Sequence, residues 1–338
     1  MVAQPKGVVE PLRKRRRVMA GMRPTGQLHV GHLLGALQNF VALSEQADCF
    51  YEIADLHALT TKFERSGEIA DDVREMTIDW LAAGLDPQRC TIYVQSRIPE
   101  ISEMYSLLSM ITPVSWLERV PTYKDQINAL GPEIATHGFL GYPVLQTVDI
   151  AIMRGDRVPV GQDQLPHLEL SREIIRRFNH FYGPVLVEPE PLLSQTPYVP
   201  GTDGRKMSKS YNNSILLADS EAETMAKVKT MFTDPEKIHK TDPGHPETCP
   251  VFFFHRVFNN AASEDIALRC RTGRLGCVED KADMVQHLNA ALAPIRERRR
   301  EIAASPKIVE EVLREGTRRA QAVAADTLAS VKSAMGLG

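Results

Sequence analysis

The stretch RVMAGMRPTGQLHVGH, residues 17–32, decides the fold of this chain. Its apolar start at 17–20 predicts a short strand, its centre a tight loop, and its end a helix that begins near Gly31. Residues 48–54 and 91–95 predict two further strands, separated by a helical stripe that ends at Gly84. This alternation is typical of parallel βαβ units. We therefore expect a doubly wound sheet that binds its ligand at the carboxyl ends of its strands.

Changes of pattern further along the chain predict its domain organisation. A helical pattern interrupts the alternation after the third strand, a fourth strand is expected at 157–160, and from 178 onward we expect helices apart from a loop at 233–250. We expect a basic tail at residues 1–17 and an α/β domain at 18–205, with a helical insertion at about 99–145. A C-terminal all-helical domain is expected at 206–338. The fold class is thus α/β, with a Rossmann-like doubly wound parallel sheet.

The composition excludes several classes of protein. With 25% charged and 43% hydrophobic residues and a net charge of −3, the chain is an ordinary globular protein and not a general nucleic-acid coat. Its longest apolar cluster, 251–254, is far shorter than the ~18 residues of a membrane span. Five cysteines do not make a disulfide framework, and no apolar core follows the basic run at 13–17. We expect a cytoplasmic protein with no membrane partner.

The loop and helix start at 24–32 form the first candidate site. Gly26 and Gly31 let backbone and ligand approach closely, and a helix amino terminus favours an anion. His29 and His32 can both donate hydrogen bonds to phosphate oxygens. The alternative is a solvated turn, whereas a zinc site is disfavoured because no third ligand with metal spacing lies nearby.

The second candidate site is the loop GTDGRKMSKS, residues 201–210. Lys206 and Lys209 can follow phosphate charge as it moves during group transfer. A loop so rich in charge is commonly only solvated surface. Its occurrence together with the first motif, in this order, favours a nucleotide site.

HVGH and KMSKS resemble the two signature motifs of class I aminoacyl-tRNA synthetases. The wider chain, from Met19 to Gly338, resembles the bacterial tryptophanyl members of that family. The supporting stretches are ADLHALT, LERVPTYKDQI, GYPVLQTVDI, VPVGQDQLPHLELSREI and AMGLG. The resemblance implies that L-tryptophan is activated with ATP and Mg²⁺ and transferred to tRNA(Trp). It also implies a homodimer formed through the helices near 100–150, no tightly bound cofactor, and a C-terminal domain that binds the anticodon.

The resemblance further implies a role for each matching residue. It places the ATP site at Arg23, Pro24, Thr25, Gly31, His32, Gly161, Gln162, Asp163, Val199, Lys206, Met207, Ser208, Lys209 and Ser210. Among these, Gly161, Gln162 and Asp163 would hold the ribose; Gln162 stands where the family more often has Glu. The catalytic set would be His29, His32, Lys124, Lys206 and Lys209, with the lysines stabilising charge on the triphosphate.

The tryptophan site would consist of Asp149, Tyr142, Gln164 and His57. Asp149 would accept the indole N–H, Tyr142 and Gln164 would bind the ammonium group, and His57 would lie along the wall. Three of these have a structural alternative: Asp149 as a capping aspartate, Tyr142 as a tyrosine that packs a turn, and His57 as a buried core histidine. For Lys124 the alternative is a solvated lysine.

Two further clusters are open to interpretation. Some members of the family hold a four-iron cluster on cysteines spaced C-x22-C-x6-C-x2-C. Cys270 and Cys277 keep the six-residue gap, Cys249 fits the first position with a shorter spacer, and Asp280 stands at the fourth. Because four thiolates are the usual complement, we expect a vestigial site that holds no metal. The arginines at 296 and 298–300 are interpreted as a solvated helix face or a phosphate contact.

Three other functions remain open from the sequence. A tyrosyl-tRNA synthetase shares the fold and both motifs but usually carries a further RNA-binding module. A nucleotidylyltransferase shares HxGH but is typically shorter and lacks KMSKS. A non-catalytic tRNA-binding paralogue is disfavoured by the intact histidines and lysines of both motifs.

Overall fold

The structure, a computed structural model, describes residues 16–193 and 198–337. The side chains of Pro121, Thr122, Leu130 and Asp163 also lie outside the described part. Most of the expected tail, residues 1–15, is likewise outside it. Arg17, the last residue of that expected tail, is the first residue of a strand.

Five parallel strands form one sheet in the order β3-β2-β1-β4-β5. They are β1 Arg17–Met22, β2 Asp48–Ile53, β3 Cys90–Val94, β4 Arg157–Val160 and β5 Glu190–Leu193. The predicted α/β class and the first four strands are confirmed. The sequence missed β5 because its four residues include Pro191 and no β-branched side chain. An edge strand tolerates proline, because the backbone N–H that proline lacks would face solvent there and not a partner strand.

Helices cover the sheet and make up most of the remaining chain. In the first half these are α1 Val30–His32, α2 Gln38–Ser44, α3 Asp55–Lys62, α4 Ile69–Ala82, α5 Pro99–Ser109, α6 Val114–Leu117, α7 Pro121–Leu130, α8 His137–Leu140 and α9 Tyr142–Ile152. In the second half they are α10 Leu165–Tyr182, α11 Glu221–Lys229, α12 Pro250–Phe258, α13 Ser263–Arg271, α14 Cys277–Ala303 and α15 Pro306–Ala334. A π-helical segment, Leu33–Leu37, joins α1 to α2.

Short 3₁₀ turns connect several of these elements. They are Phe63–Glu68, Gln95–Arg97, Pro132–Ile134, Gln162–Gln164, Lys209–Tyr211, Pro246–Thr248 and Asn260–Ala262. No helix in the described ranges is both long enough and apolar enough to cross a membrane.

The central strand β1 contributes to two cores, one on each face of the sheet. Val18 lies in the same cluster as Trp80 of α4, whereas Met19 lies with Val148 of α9 and Phe178 of α10. Successive side chains of a strand point to opposite faces, so β1 is buried on both. Because both faces of β1 are packed, the start of the loop that follows this strand is held in place.

The last helix, α15, returns to the sheet and packs against β3. A Cβ on Gly316 would lie 1.7 Å from the carbonyl oxygen of Ile92, so only glycine allows this approach. Ala320 and Ala324 of the same helix share a core with Met104 of α5. The C-terminal helices are thus in direct contact with the sheet.

Candidate active site

A cleft of about 890 Å³ opens at the carboxyl ends of β1, β2 and β4. The candidate residues that line it are Arg23, His29, Gly31, His32, His57, Tyr142, Asp149, Gly161, Gln164, Val199, Lys206, Met207, Ser208 and Ser210. The structure therefore brings residues from both motifs and from both proposed substrate sites into one cavity. Its place at the strand ends is the one expected for a doubly wound sheet.

Five other candidates have different positions. Pro24, Thr25, Gln162, Lys124 and Lys209 are not among the residues that line the cleft, and the side chain of Asp163 lies outside the described part. Lys124 is exposed on α7, whose residue Gln126 does line the cleft. The role of Lys124 stays a prediction.

His29 and His32 are stacked, with ring centroids 3.7 Å apart. Burial, together with the nearby charge of Lys209, lowers the pKa of His29 to about 4. Burial and the neighbouring His29 lower the pKa of His32 to about 3. Both rings are therefore neutral at pH 7 and each offers one N–H donor. They can hydrogen-bond a phosphate but supply no positive charge to it.

Gly31 is required by this stacked pair. A Cβ at this position would lie 2.8 Å from two atoms of the His29 ring. Any larger residue would force the ring out of its place. The glycine therefore permits the histidine arrangement as well as the approach of a ligand.

Side chains of two helices, α4 and α14, hold the loop that precedes His29. The Leu28 N–H donates to Asp79 Oδ2 of α4 at 2.6 Å, and Arg299 Nε of α14 donates to Asp79 Oδ1 at 2.7 Å. Arg299 also bonds Glu75, which accepts from Gln27 as well. The sequence offered one missed signal, a carboxylate between Ile78 and Trp80 on the apolar stripe of α4.

The interpretation of the arginine row as a solvated or phosphate-binding face is wrong for Arg296 and Arg299. Arg296 is buried and bonds Asn289 and Thr224, and Arg299 pairs with the buried Asp79. Arg298 is exposed although it donates to the carbonyl of Ala82, and Arg300 is 74% exposed with Glu297 one turn away as its partner. The row therefore ties α14 to neighbouring elements.

The segment that follows the KMSKS loop is joined to the first motif by backbone hydrogen bonds. The Val30 N–H donates to Ile215 O at 2.9 Å, and the Leu217 N–H to Leu28 O at 2.8 Å. Lys209 Nζ donates to the carbonyls of Gln27, at 2.8 Å, and of Thr25. Burial lowers the pKa of this lysine. The second lysine of KMSKS thus contacts the first motif directly.

Asn213 holds the KMSKS loop in shape, a role that sequence analysis missed. Its Oδ1 accepts from the Ser208 N–H at 2.7 Å, and its Nδ2 donates to Asp203 Oδ1 at 2.7 Å. A Cβ on Gly201 would lie 2.3 Å from the Asn213 amide, which explains the glycine. Lys206 remains exposed at the rim of the cleft.

Asp149 also lines the cleft and is only 4% exposed. Gln95 Nε2 donates to its Oδ1 at 2.8 Å, and His57 Nε2 lies 2.9 Å from its Oδ2. Beside it, the Tyr142 hydroxyl is 3.2 Å from Nδ1 of the buried His167. Gln95 was missed because it belongs to none of the quoted motifs. His167 was given no role although it lies within the quoted stretch VPVGQDQLPHLELSREI.

The cysteine cluster is arranged differently from a metal site. Cys249, Cys270 and Cys277 are free thiols, and Asp280 Oδ1 lies 3.0 Å from Nε2 of the buried His255. Burial raises the pKa of Cys249 to about 11. Within the described ranges, no three His, Cys, Asp or Glu side chains are placed to hold a metal ion.

Comparison with known proteins identifies the family. Residues 11–293 match the family described as tRNA synthetases class I (W and Y). The chain is 47% identical to a tryptophan–tRNA ligase of Thermotoga maritima, over 95% of this chain and 99% of the relative. It is 44% identical to that of Aquifex aeolicus, over 95% and 100%.

A solved structure agrees with these relatives. Tryptophanyl-tRNA synthetase of Campylobacter jejuni, crystallised with ADP and tryptophan, superposes with a TM-score of 0.85 at 32% identity. The match covers 95% of this chain and 100% of that one. The chain therefore belongs to the class I tRNA synthetases and, within them, to the tryptophan–tRNA ligases.

Proposed function

We propose that this chain activates L-tryptophan with ATP and transfers it to tRNA(Trp). The observation that carries the proposal is the meeting of HVGH, KMSKS and Asp149 in one cleft, although they are far apart in the sequence. The relatives at 44% and 47% identity favour tryptophan over tyrosine as the amino acid. The complete set of motif side chains disfavours a non-catalytic paralogue.

The reaction has two steps. A carboxylate oxygen of tryptophan attacks the α-phosphorus of ATP in line, the bond to the β-phosphate oxygen breaks, and pyrophosphate leaves with Mg²⁺. A hydroxyl of the terminal adenosine of the tRNA then attacks the activated carbonyl, and AMP leaves. Neither step needs covalent chemistry by the protein, so catalysis is positioning and charge stabilisation.

At the nucleotide end, the neutral rings of His29 and His32 would donate N–H groups to phosphate oxygens, and Lys206 would stabilise the charge that develops on the leaving group. Arg23 lines the same cleft, with its Nη2 bonded to Thr61 and its Nε buried without a partner among the described residues. It would therefore bind an anionic group of either substrate. Gly161 with Gln162 and Asp163 would hold the ribose.

At the amino-acid end, Asp149 would accept the indole N–H, while Tyr142 and Gln164 would bind the ammonium group. His57 would keep Asp149 in place through the contact at 2.9 Å. A buried carboxylate discriminates against side chains without an N–H donor, because its charge would then stay unpaired.

The finer parts of the proposal concern assembly and location. Residues 18–205 would form the nucleotide-binding domain, and the helices of 206–338 would bind the tRNA anticodon. The protein would act as a homodimer in the cytoplasm. Sedimentation velocity would test the dimer, and cross-linking of the tRNA anticodon to residues 206–338 of the full-length chain would support the anticodon role.

The decisive experiment is pyrophosphate exchange with each of the twenty amino acids, followed by charging of tRNA(Trp). We expect exchange with tryptophan alone and transfer to that tRNA. Exchange with tyrosine would favour a tyrosyl enzyme, and exchange with no amino acid would contradict the proposal.

Asp149 gives the sharpest test of specificity. Asp149→Ala should lower kcat/KM for tryptophan by about 10³-fold or more, because a buried hydrogen-bonding site loses its acceptor. Asp326→Ala is the control, since this carboxylate is 71% exposed on α15. Normal tryptophan activation by Asp149→Ala would mean that another residue reads the indole.

A further inference from the structure

A second carboxyl group, Glu52, lies in the wall of the cleft beside Asp149. It is the penultimate residue of β2 and pairs in register with Gly21 of β1, whose missing side chain leaves room for it. A Cβ on Gly21 would lie 3.4 Å from Glu52 Oε1. Glu52 is only 1% exposed although it lines the cavity, and its Oε2 has no hydrogen-bond partner among the described residues.

Among the described residues, the titratable groups that act on Glu52 are acidic. Tyr93 approaches from β3, Asp149 from α9 and Asp55 from the start of α3, and His57 is bonded to Asp149. No ion pair joins Glu52 to a lysine or arginine within residues 16–193 and 198–337. Two buried carboxyl groups without a cation between them cannot both be ionised at low cost.

Hydrogen bonding decides which of the two carries the charge. Asp149 has a nitrogen partner on each oxygen: Gln95 Nε2 donates to Oδ1 at 2.8 Å, and His57 Nε2 lies 2.9 Å from Oδ2. Such partners favour a carboxylate. Glu52 has no such donor on Oε2, and the Tyr93 hydroxyl, which favours the charged form of Glu52, does not outweigh its burial. Burial and the charge of Asp149 raise the pKa of Glu52 well above that of an ordinary glutamate.

We propose that Glu52 is a positioning residue of the amino-acid pocket: it is an uncharged carboxylic acid that leaves Asp149 as the single negative charge facing the bound side chain. A pocket with one negative charge suits a neutral ring with one N–H donor. A second charge would draw in water or a cationic side chain and weaken binding of an apolar ring. This inference rests on the proposed function and deepens its account of specificity.

The first test needs no activity. In the unfolded chain Glu52 ionises near pH 4.3, whereas the folded protein keeps its proton to higher pH. The contribution of Glu52 to the free energy of unfolding is therefore fully present below about pH 4.3, where both states are protonated. It is lost as the pH rises toward the raised pKa of Glu52. Glu52→Gln cannot ionise, so its melting temperature relative to wild type should increase steadily from pH 4.5 to 8.5.

The matched control is Glu45→Gln, which neutralises a glutamate whose side chain is 63% exposed. Its difference from wild type should stay nearly constant over the same range. In an Asp149→Asn background the pH-dependent gain of Glu52→Gln should shrink, because one cause of the raised pKa is gone. A gain that does not grow with pH would overturn the proposal.

The second test measures tryptophan-dependent pyrophosphate exchange. Glu52→Gln, an uncharged replacement of the same shape, should keep KM for tryptophan within about threefold of wild type at pH 7.5, with kcat unchanged. Glu52→Ala should raise KM more than it lowers kcat. A folded Glu52→Gln protein whose KM rises by about 100-fold would mean that an ionised Glu52 is required. If wild type shows no exchange with tryptophan, the proposed function fails, and the melting experiment still decides the state of Glu52.

Discussion

The two lysines of KMSKS have different surroundings, and this difference predicts different effects of removing them. Lys206 is exposed at the rim of the cleft, whereas Lys209 is half-buried and bonds the carbonyls of Thr25 and Gln27. Lys206→Ala should lower kcat for adenylation by ~10²-fold with little change in KM for tryptophan, because its charge acts in the transition state.

Lys209→Ala should lower kcat similarly and also lower the melting temperature, since it frees the loop before His29. Arg205→Ala is the control, because this neighbouring cation pairs with Asp203 and does not line the cleft. An unchanged kcat with a raised KM for either lysine variant would contradict its role in the transition state.

At the scale of elements, the contact between α15 and β3 depends on one glycine. A Cβ on Gly316 would overlap the carbonyl oxygen of Ile92, so Gly316→Ala should push the helix off the sheet. We expect a loss of roughly 2 kcal/mol in the free energy of unfolding, as for other overpacked sites. Chemical denaturation would measure it.

Gly67→Ala is the control for that experiment. Gly67 has ordinary backbone angles and nothing lies within 4 Å of a Cβ built on it. Its replacement by alanine should be neutral or slightly stabilising. Equal stability of the two variants would mean that α15 does not depend on close approach to β3.

At the scale of the whole molecule, Arg299 connects the C-terminal helices to the nucleotide loop through Asp79, which is 0% exposed. Burial raises the pKa of Asp79 even with this partner. Arg299→Gln should therefore cost on the order of 3 kcal/mol in unfolding free energy, because it leaves a buried charge unpaired. It should also lower kcat, since the loop that carries His29 loses support.

Arg300→Gln is the matched control, because Arg300 is exposed and pairs only within its own helix. Its effect should be below about 0.5 kcal/mol. Asp79→Asn combined with Arg299→Gln should recover part of the stability by removing the unpaired charge. Arg299→Gln with the stability and kcat of wild type would show that the two regions are not coupled here.

The cysteine cluster predicts an enzyme that functions without a bound metal centre. The protein should be colourless as purified and should keep full adenylation activity after chelation, once Mg²⁺ is restored. Three thiols with one carboxylate make a poor iron–sulfur or zinc site. Brown protein with stoichiometric iron, bleached by Cys277→Ser, would contradict this prediction and make Asp280 a ligand.

Local sequence determined much of this protein. The strand, loop and helix start at 17–32 follow from short-range hydrophobic spacing and from two glycines. HVGH and KMSKS are contiguous, so their chemistry can be read from neighbouring residues. The α/β class follows from the same alternation, because parallel strands require helical crossovers.

The tertiary structure alone decided which distant residues meet. Asp79 and Arg299 are 220 residues apart and Gln95 and Asp149 are 54 apart, and no local spacing relates the members of either pair. Glu52 was inconspicuous in the sequence because it is a single acidic residue between the apolar residues of β2 and belongs to no motif. Its environment exists only after β1, β2, β3 and α9 have come together. Protonation and ion pairing depend on burial and on neighbours in space, and the fold supplies both.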